Sequence, residues 1–496
     1  MEKKETTYDH VIKYTGLFGG VQGLTMLVTI VRTKLTALFL GATGVGMISR
    51  MTNLIELVHH TTDFGICFSA IKHVSEIFEE GDEGKINDFI KTVRTVAMML
   101  GLLGLMVMVT VAWFIPWTSA MNILTLAPIA PMMIVASGEG AILKGTKQLK
   151  KVAVISVFSA IAILAVTAPI YYKLGFPAIA LALLLSNAAN MIITLYFSTK
   201  RYPYNISLLK PNAQLLVAKP MLALGLGYVI AGFFGTGAEY VIREVIQRHS
   251  GMEAVGLYTC GYSIVVSYAS YVFTAMQVDF FPRLAGCCHD QKRMNETINQ
   301  QIEVYAMLMA PLLTVFVLFM PHIVHLLYSV QFSMAIPMSV CAVVFMYFKA
   351  FFGPVEYLAL AKGDSKMYMF VELAYDVVLA MAIPFSYIHF GLAGCGVALS
   401  MLGALNMVFV LTLYSKRYGF RLSTRLLTFY VMQFMLLIYV IMAVMHDVTN
   451  AQAGFRWIKW TVGPVCSAIS IAISYRILSK ETTIIEKIKR RLEVRG

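Results

Sequence analysis

Residues 174–202 read LGFPAIALALLLSNAANMIITLYFSTKRY, and residues 390–418, 216 positions later, read FGLAGCGVALSMLGALNMVFVLTLYSKRY. Laid over each other without a gap, ten of the 29 positions are identical. They include Gly175 and Gly391, Asn190 and Asn406, Met191 and Met407, and the closing Lys200-Arg201-Tyr202 and Lys416-Arg417-Tyr418. Each copy is an apolar run of about 20 residues ended by cations, the length of one bilayer-crossing helix. Fainter matches lie upstream: Lys144-Gly145 against Lys362-Gly363 at an offset of 218, and Val45-Gly46 against Val255-Gly256 at 210. The chain is a duplication, and what is duplicated is a set of membrane helices.

The rest of the composition agrees. Of 496 residues, 58% are hydrophobic and 14% charged, and the mean hydropathy is +0.72; a soluble domain carries about 25% charged residues. These values exclude a soluble enzyme, a nucleic-acid-binding domain and a disordered scaffold. Fourteen apolar runs have membrane-crossing length: Val11–Leu40, Met47–Ser69, Thr95–Trp117, Ile123–Leu143, Val152–Tyr171, Phe176–Phe197, Met221–Val241, Ala254–Val278, Tyr305–Leu327, Ile336–Ala361, Met367–Ile388, Gly391–Tyr414, Leu426–Met445 and Ile458–Tyr475. The expected fold is an all-α polytopic membrane protein of about 14 transmembrane helices. Two six-helix, pseudo-symmetric lobes (1–210 and 211–422) are followed by two additional helices (423–478) and a basic tail (479–496). Six is an even number of crossings, so the two lobes share one orientation. A duplicated bundle of this kind is the plan of a secondary transporter.

With the N-terminus in the cytoplasm, 31 of the 40 Lys and Arg residues fall in inner segments and seven on the outer side. The positive-inside rule then puts both termini in the cytoplasm. The formal charge of +13 is accounted for by topology and contact with anionic lipid, with no nucleic acid needed as partner. Outer loops such as Gly41–Gly46 are too short to hold a catalytic domain. The seven cysteines lie scattered, without metal-site spacing, and read as apolar fillers. No Asp-x-Asp pair, Walker loop or Gly-x-Ser-x-Gly elbow is present, so neither an enzyme nor a cofactor or metal is expected.

Charged groups inside the bilayer need a reason, because each costs a few kcal/mol. In helix 1, Gln22, Thr25, Thr29 and Arg32 recur at helical spacing, with Lys34 close behind. In helix 2, Glu56, His59, His60 and Asp63 stand at i, i+3, i+4 and i+7, one face of a continuous helix, with Arg50 and Asn53 above them. Glu239 and Arg243 in helix 7 are an i, i+4 pair, and Lys349 and Glu356 in helix 10 are seven apart across a Gly353-Pro354 bend. Two readings stand: these charges pair with one another and hold the bundle, or they line an aqueous lumen. On the second, Arg32, Lys34, Arg50, Arg243 and Lys349 form a cationic cavity suited to phosphate oxygens. Glu56, Asp63 and Glu356 are then candidates for ion coupling. Glu139, Glu372 and Asp376 divide equally between proton exchange and pairing. Tyr258, Tyr262 and Tyr271 in helix 8 fit either sugar stacking or ordinary packing.

The segment Lys34-Leu-Thr-Ala37, Leu40-Gly41-Ala-Thr-Gly44-Val-Gly46, the polar second helix and Ala70-Ile-Lys72-His-Val-Ser resembles the start of bacterial O-antigen flippases. These belong to the multidrug/oligosaccharidyl-lipid/polysaccharide exporter (MOP) superfamily. Similar in order and spacing are Ala141-Ile-Leu-Lys144-Gly145, Glu253-Ala-Val-Gly256-Leu-Tyr258, Phe281-Pro282-Arg283-Leu284, and Ala361-Lys362 with Tyr368 and Glu372. The resemblance covers about residues 10–420. It implies alternating access between two six-helix lobes. The cargo would be an undecaprenyl-pyrophosphate-linked oligosaccharide of the O-antigen or lipopolysaccharide kind, moved from the inner to the outer leaflet of the bacterial plasma (inner) membrane. Partners would be membrane lipids, the polysaccharide polymerase and its chain-length machinery. By motif, Lys34 carries over as a pyrophosphate-holding cation, and Arg243 sits before the helix 7–8 turn. Helices 13 and 14 exceed the twelve-helix pattern and suit a groove for the polyprenyl tail. Two alternatives are a multidrug/cation antiporter, which calls for an acidic, aromatic cavity, and a polysaccharide polymerase or ligase. The latter calls for a large outer loop; His322 and His325 are its nearest candidate residues.

Overall fold

The duplication in the sequence recurs in the backbone. The computed structural model describes residues 7–114, 119–206, 211–267, 270, 273, 280–281, 283–449 and 457–481, and among them every regular element is helical. In chain order the α-helices are α1 (Thr7–Thr62), α2 (Ile66–Glu80), α3 (Glu83–Val111), α4 (Ala120–Leu126), α5 (Ile129–Gly145), α6 (Leu149–Leu174) and α7 (Ile179–Thr199). They continue as α8 (Pro211–Tyr262), α9 (Gln291–Leu318), α10 (Met320–Leu327), α11 (Ile336–Ala361), α12 (Ser365–Tyr418), α13 (Thr424–Thr449) and α14 (Trp457–Glu481). Nine stretches among the described residues are long and apolar enough to cross a membrane. The protein is a multi-pass membrane protein.

Three of the long helices hold two arms each, broken at Gly41 (φ 61°, ψ −166°), Gly251 (φ 82°, ψ −178°) and Gly391 (φ 64°, ψ −156°); Gly175 between α6 and α7 takes the same form (φ 62°, ψ −142°). Positive φ with ψ near 180° is open essentially to glycine alone. Gly41 and Gly251 are repeat partners at the 210 offset, and Gly175 and Gly391 at 216. The opposite ends match too. Asp82 caps α3 by accepting the Gly84 and Lys85 N–H groups, and Asp290 caps α9 by accepting those of Lys292 and Arg293.

Several expected helices divide differently. Helix 4 is two pieces, α4 and α5, separated at Ala127-Pro128, where the ring removes a backbone donor. Helix 9 begins earlier, at Gln291 behind the Asp290 cap, and breaks after Leu318, ahead of Pro321 in α10. The Gly353-Pro354 pair stays inside an unbroken α11. Most of helix 8 beyond Ser267, Tyr271 included, lies outside the described residues, as does the basic tail from residue 482.

The chain forms two compact units, Met1–Gly256 with Leu327–Ser329, and Leu257–Leu326 with Val330–Gly496. In the first, Leu40, Met51, Leu54, Ile55 and Val58 of α1 bury against Met108, Ile123, Ile129 and Tyr171. In the second, α13 and α14 are fastened by polar clasps. Tyr347 OH donates to the Tyr430 carbonyl (2.6 Å), and Tyr430 OH donates back to the Tyr347 carbonyl (3.0 Å). Gln433, fully buried, donates to the Ser470 carbonyl and to Ser474 Oγ and accepts from Ser470 Oγ.

The cap of α12 carries a pH signature. Asp364 accepts from Met367 N–H (3.1 Å), from Arg417 Nε (2.9 Å) and Nη2 (2.6 Å), and from Tyr418 OH (2.8 Å). The Arg417 and Tyr418 hydrogen bonds hold its carboxyl below the usual carboxylate range. A depressed folded-state pKa stabilises above the unfolded value and is lost as pH falls through the folded one. Asp364→Ala is therefore expected to lower the melting temperature by the same amount from pH 6 to 8, and the gap to close below about pH 4. Melting curves of the purified pair across that range decide it.

Candidate functional site

The polar residues of helix 2, the arm of α1 that follows Gly41, meet helix 7, the arm of α8 that precedes Gly251. Arg50 is fully buried, pairs with Glu244 and stacks over Tyr240 at 5.0 Å. Arg243 donates from Nε to Ser49 Oγ (2.8 Å) and from Nη1 to the Glu239 carboxylate. Glu244 also takes Arg248 Nε at 2.5 Å. Asn53 Nδ2 reaches the Thr236 carbonyl at 3.5 Å, and a Cβ on Gly232 would stand 3.3 Å from His60 Nδ1. Glu56 is exposed and lies within electrostatic reach of Arg243 and Glu239. The seam places three arginines against Glu239, Glu244 and Glu56, so its charges balance.

Arg50 and Arg243, expected among the cavity cations, each have a glutamate partner. Pairing, the other reading, holds for both and for Glu139, whose carboxylate receives Arg94 Nε (2.6 Å) and Nη2 (3.0 Å). The helix 2 face is corrected. The helix ends at Thr62, and Phe64 (φ 47°) and Gly65 (φ 63°) both turn left-handed. Asp63, 2% exposed, accepts the Gly65 N–H at 2.9 Å and so serves the turn, while Glu56 is exposed and His59 buried.

On the first arm of α1, Arg32 and Lys34 are half-buried, with Arg32 in electrostatic reach of Tyr171 on α6. Thr25 and Thr29 hydroxyls donate to carbonyls one turn back, which satisfies them within the helix. The side chain of Gln22 lies outside the described residues. Lys349 and Glu356 belong to the second unit. Lys349 Nζ sits 6.0 Å above the Phe345 ring. Glu356 receives Asn406 Nδ2 at 3.1 Å, with Lys349 and Glu372 in electrostatic range, and Tyr368 hydrogen-bonds Glu372. Asn406 is one of the two repeated asparagines. Glu244, Tyr240, Ser49 and Arg94 were not singled out from sequence; the signal for Glu244 is its place one residue after Arg243 on the same polar helix end. His322 packs on Trp460 (5.8 Å), and His325 Nε2 lies 2.9 Å from Ser333 Oγ.

The duplicated helical bundle has a fold also seen in transporters of the MOP superfamily. The fold is similar to that of the lipid II flippase MurJ in an inward closed conformation, with a TM-score of 0.66 at 14% identity over 93% of this chain and 99% of that one. It is also similar to an inward-facing multidrug resistance MATE family transporter (0.64, 13%, covering 80% and 94%) and to a MOP superfamily transporter from Pyrococcus furiosus (0.53, 12%, covering 81% and 94%). Residues 1–422 are 85% of the 496, so the 93% overlap reaches into the C-terminal helix pair. By sequence, residues 36–337 match the family described as polysaccharide biosynthesis protein. The chain belongs to that family. No curated protein sequence matches it.

Proposed function

We propose that this protein is a flippase that carries a polyprenyl-pyrophosphate-linked oligosaccharide, a repeat unit of O-antigen or a similar surface polysaccharide, from the inner to the outer leaflet of a bacterial inner membrane. Both termini lie in the cytoplasm, and the two six-helix lobes alternate in access. One observation carries the reading: a member of a polysaccharide biosynthesis family has the fold of transporters. The step of such biosynthesis that needs a transporter is the crossing of the glycan. The candidate pyrophosphate-binding cations are Lys34 and Arg32 in the first unit and, separately, Lys349 in the second, and Arg50 and Arg243 are charge-balanced by glutamates. A pyrophosphate with about two negative charges gains roughly 2.3 kcal/mol per charge per 100 mV on leaving an inside-negative cytoplasm, which supplies a driving force without ATP. Ion antiport through Glu56 or Glu356 adds to it; transport indifferent to an imposed ion gradient at fixed potential would end that part.

Depletion in the native host, with mass spectrometry of polyprenyl-linked glycans and an impermeant glycosidase to test sidedness, is the direct experiment. Complete repeat units should accumulate, protected on the cytoplasmic leaflet. No accumulation with altered drug sensitivity would indicate a drug antiporter, and accumulation on the outer leaflet a polymerase or ligase. Lys34→Ala and Lys349→Ala should each reduce export about tenfold or more, the worth of a charge-assisted hydrogen bond, with the protein still in the membrane. Arg50→Ala should also lower its abundance, because Glu244 loses a buried partner. Normal export by all three variants would overturn the pyrophosphate-holding role.

A further inference from the structure

In the second unit α9, α13 and α14 pack against one another pairwise, and a cleft of about 480 Å³ opens beside the first turns of α9. Glu296, Gln300 and Glu303 of α9 line it, with Arg421, Leu422 and Leu426 from the α12–α13 turn and the start of α13. Its walls are fixed to each other. Asn295 Oδ1 accepts the Arg421 N–H (3.0 Å), Asn299 Nδ2 donates to the Arg421 carbonyl (2.9 Å), and Asn299 Oδ1 accepts the Ser423 N–H (2.9 Å). With both asparagines engaged by backbone, the cleft presents two carboxylates against one guanidinium, and two leucines.

The first repeat satisfies the same acid locally. At the offset of 208 that relates the Asp82 and Asp290 caps, Asn295 corresponds to Asn87, Glu296 to Asp88 and Asn299 to Lys91. Lys91 Nζ pairs with Asp88 at 2.9 Å. In the second repeat that lysine is an asparagine holding the turn, and Glu296, exposed, makes no ion pair among the described residues. The acid is kept and its neighbouring cation is not.

Helix register brings another source of cations to this place. Gly463 of α14 packs on Leu318 of α9. Eighteen residues away on each helix, five turns and about 27 Å, stand Glu481, the end of α14, and Gln300 in the cleft wall. The Gln433–Ser474 hydrogen bond repeats the register: seven residues on from it lie Leu426, also in the cleft, and again Glu481. So α14 ends at the cleft. Residues 482–496, outside the described residues, carry Lys487, Lys489, Arg490, Arg491 and Arg495 against Glu486 and Glu493, with Ile484, Ile485 and Ile488 among them. From Glu481 to Lys487 the chain can span about 20 Å, and the levels of Glu296 and Glu303 are only about 10 Å apart.

We propose that this cleft docks the chain's own basic segment, Ile484–Arg491, its cations meeting Glu296 and Glu303 and its isoleucines covering Leu422 and Leu426. Tethering gives the segment an effective concentration of the order of millimolar, so modest contacts hold it. An anionic lipid headgroup would meet carboxylates here and is disfavoured. Docked, the segment ties the end of α14 to α9 and α13. The inference is independent of the transported cargo.

Trypsin cuts after Lys487, Lys489, Arg490 and Arg491, so cleavage of this segment in the full-length protein, held in a neutral detergent, reads its undocked fraction. Glu296→Lys, at an exposed position, should speed that cleavage about fivefold, the worth of an exposed ion pair. Lys489→Glu alone should also be fast, and joined to Glu296→Lys it should be slow again. Added salt screens the pairs and should speed the parent more than Glu296→Lys. A Glu296→Lys rate equal to the parent's, a charge swap that stays fast, or equal salt responses would each overturn the docking. Protection that appears only when phosphatidylglycerol is added would place the segment on lipid and overturn it too.

Discussion

Replacing Glu139 by alanine is expected to cost about 3–5 kcal/mol of stability and to remove most of the protein from the membrane. Arg94 and Glu139 have side chains 2% and 1% exposed, and the guanidinium is used on every side. Nε and Nη2 donate to the carboxylate, Nη1 to the Pro203 carbonyl at 2.7 Å and Nη2 to the Tyr202 carbonyl at 3.0 Å, while Tyr204 lies under its plane at 4.9 Å. This one side chain ties α3, α5 and the chain leaving α7 together. Alanine at 139 leaves a buried cation whose counter-charge has gone. The double variant Arg94→Leu/Glu139→Leu removes both charges, so it should recover part of the loss. It leaves two carbonyls short of a donor, at about 1–3 kcal/mol for each buried group, so it should not reach the parent. The expected order of melting temperatures is parent, double variant, then Glu139→Ala. A Glu139→Ala protein melting with the parent would mean that the guanidinium finds water.

That pair also shows what a sequence can and cannot disclose. The crossing helices are legible because burial in lipid imposes length and apolarity residue by residue: Ile336–Ala361 is read from sequence to the residue. The turn glycines are legible because duplication marks them twice. Helix interruptions inside the membrane are less so. Asp63-Phe64-Gly65 is an Asx turn closed by a left-handed glycine, a three-residue signal inside an otherwise helical pattern. The periodicity of Glu56, His59 and His60 runs straight into it, and i+7 has no meaning across the break.

Side-chain partners are harder still. Arg94 and Glu139 are 45 residues apart, and Arg50 and Glu244 are 194 apart. Spacing within one helix says which face a charge shares, not which helix comes to meet it. Arg243 with Glu239 and Arg248 with Glu244, each four apart, are seam pairs that lie within spacing rules, and both form. The same limit left Arg50 without a named partner: its glutamate, Glu244, comes from the other repeat.

Alanine at Gly256 is expected to destabilise the protein by about 1–3 kcal/mol or more, and alanine at Gly46 likewise, but the two costs should not add. The pair are repeat partners, and the contact they make is reciprocal. A Cβ at Gly256 would land on the Ala42 carbonyl, and one at Gly46 would land on the carbonyl of Met252, the repeat partner of Ala42, and 2.8 Å from Gly256 N. Backbone meets backbone on both sides, so no side chain can swing away and the starts of helices 2 and 8 must part. Once one Cβ has parted them, the second enters a gap already opened. The double variant should then fall short of the summed single effects by an interaction energy of about 0.5–3 kcal/mol. Gly140→Ala is the control: it sits mid-helix in α5 with open space around it and should stabilise by about 0.5–1 kcal/mol. Thermal melts of the four members of the cycle measure this directly. Simple additivity would mean that the two glycines relax independently, which a shared backbone contact does not allow.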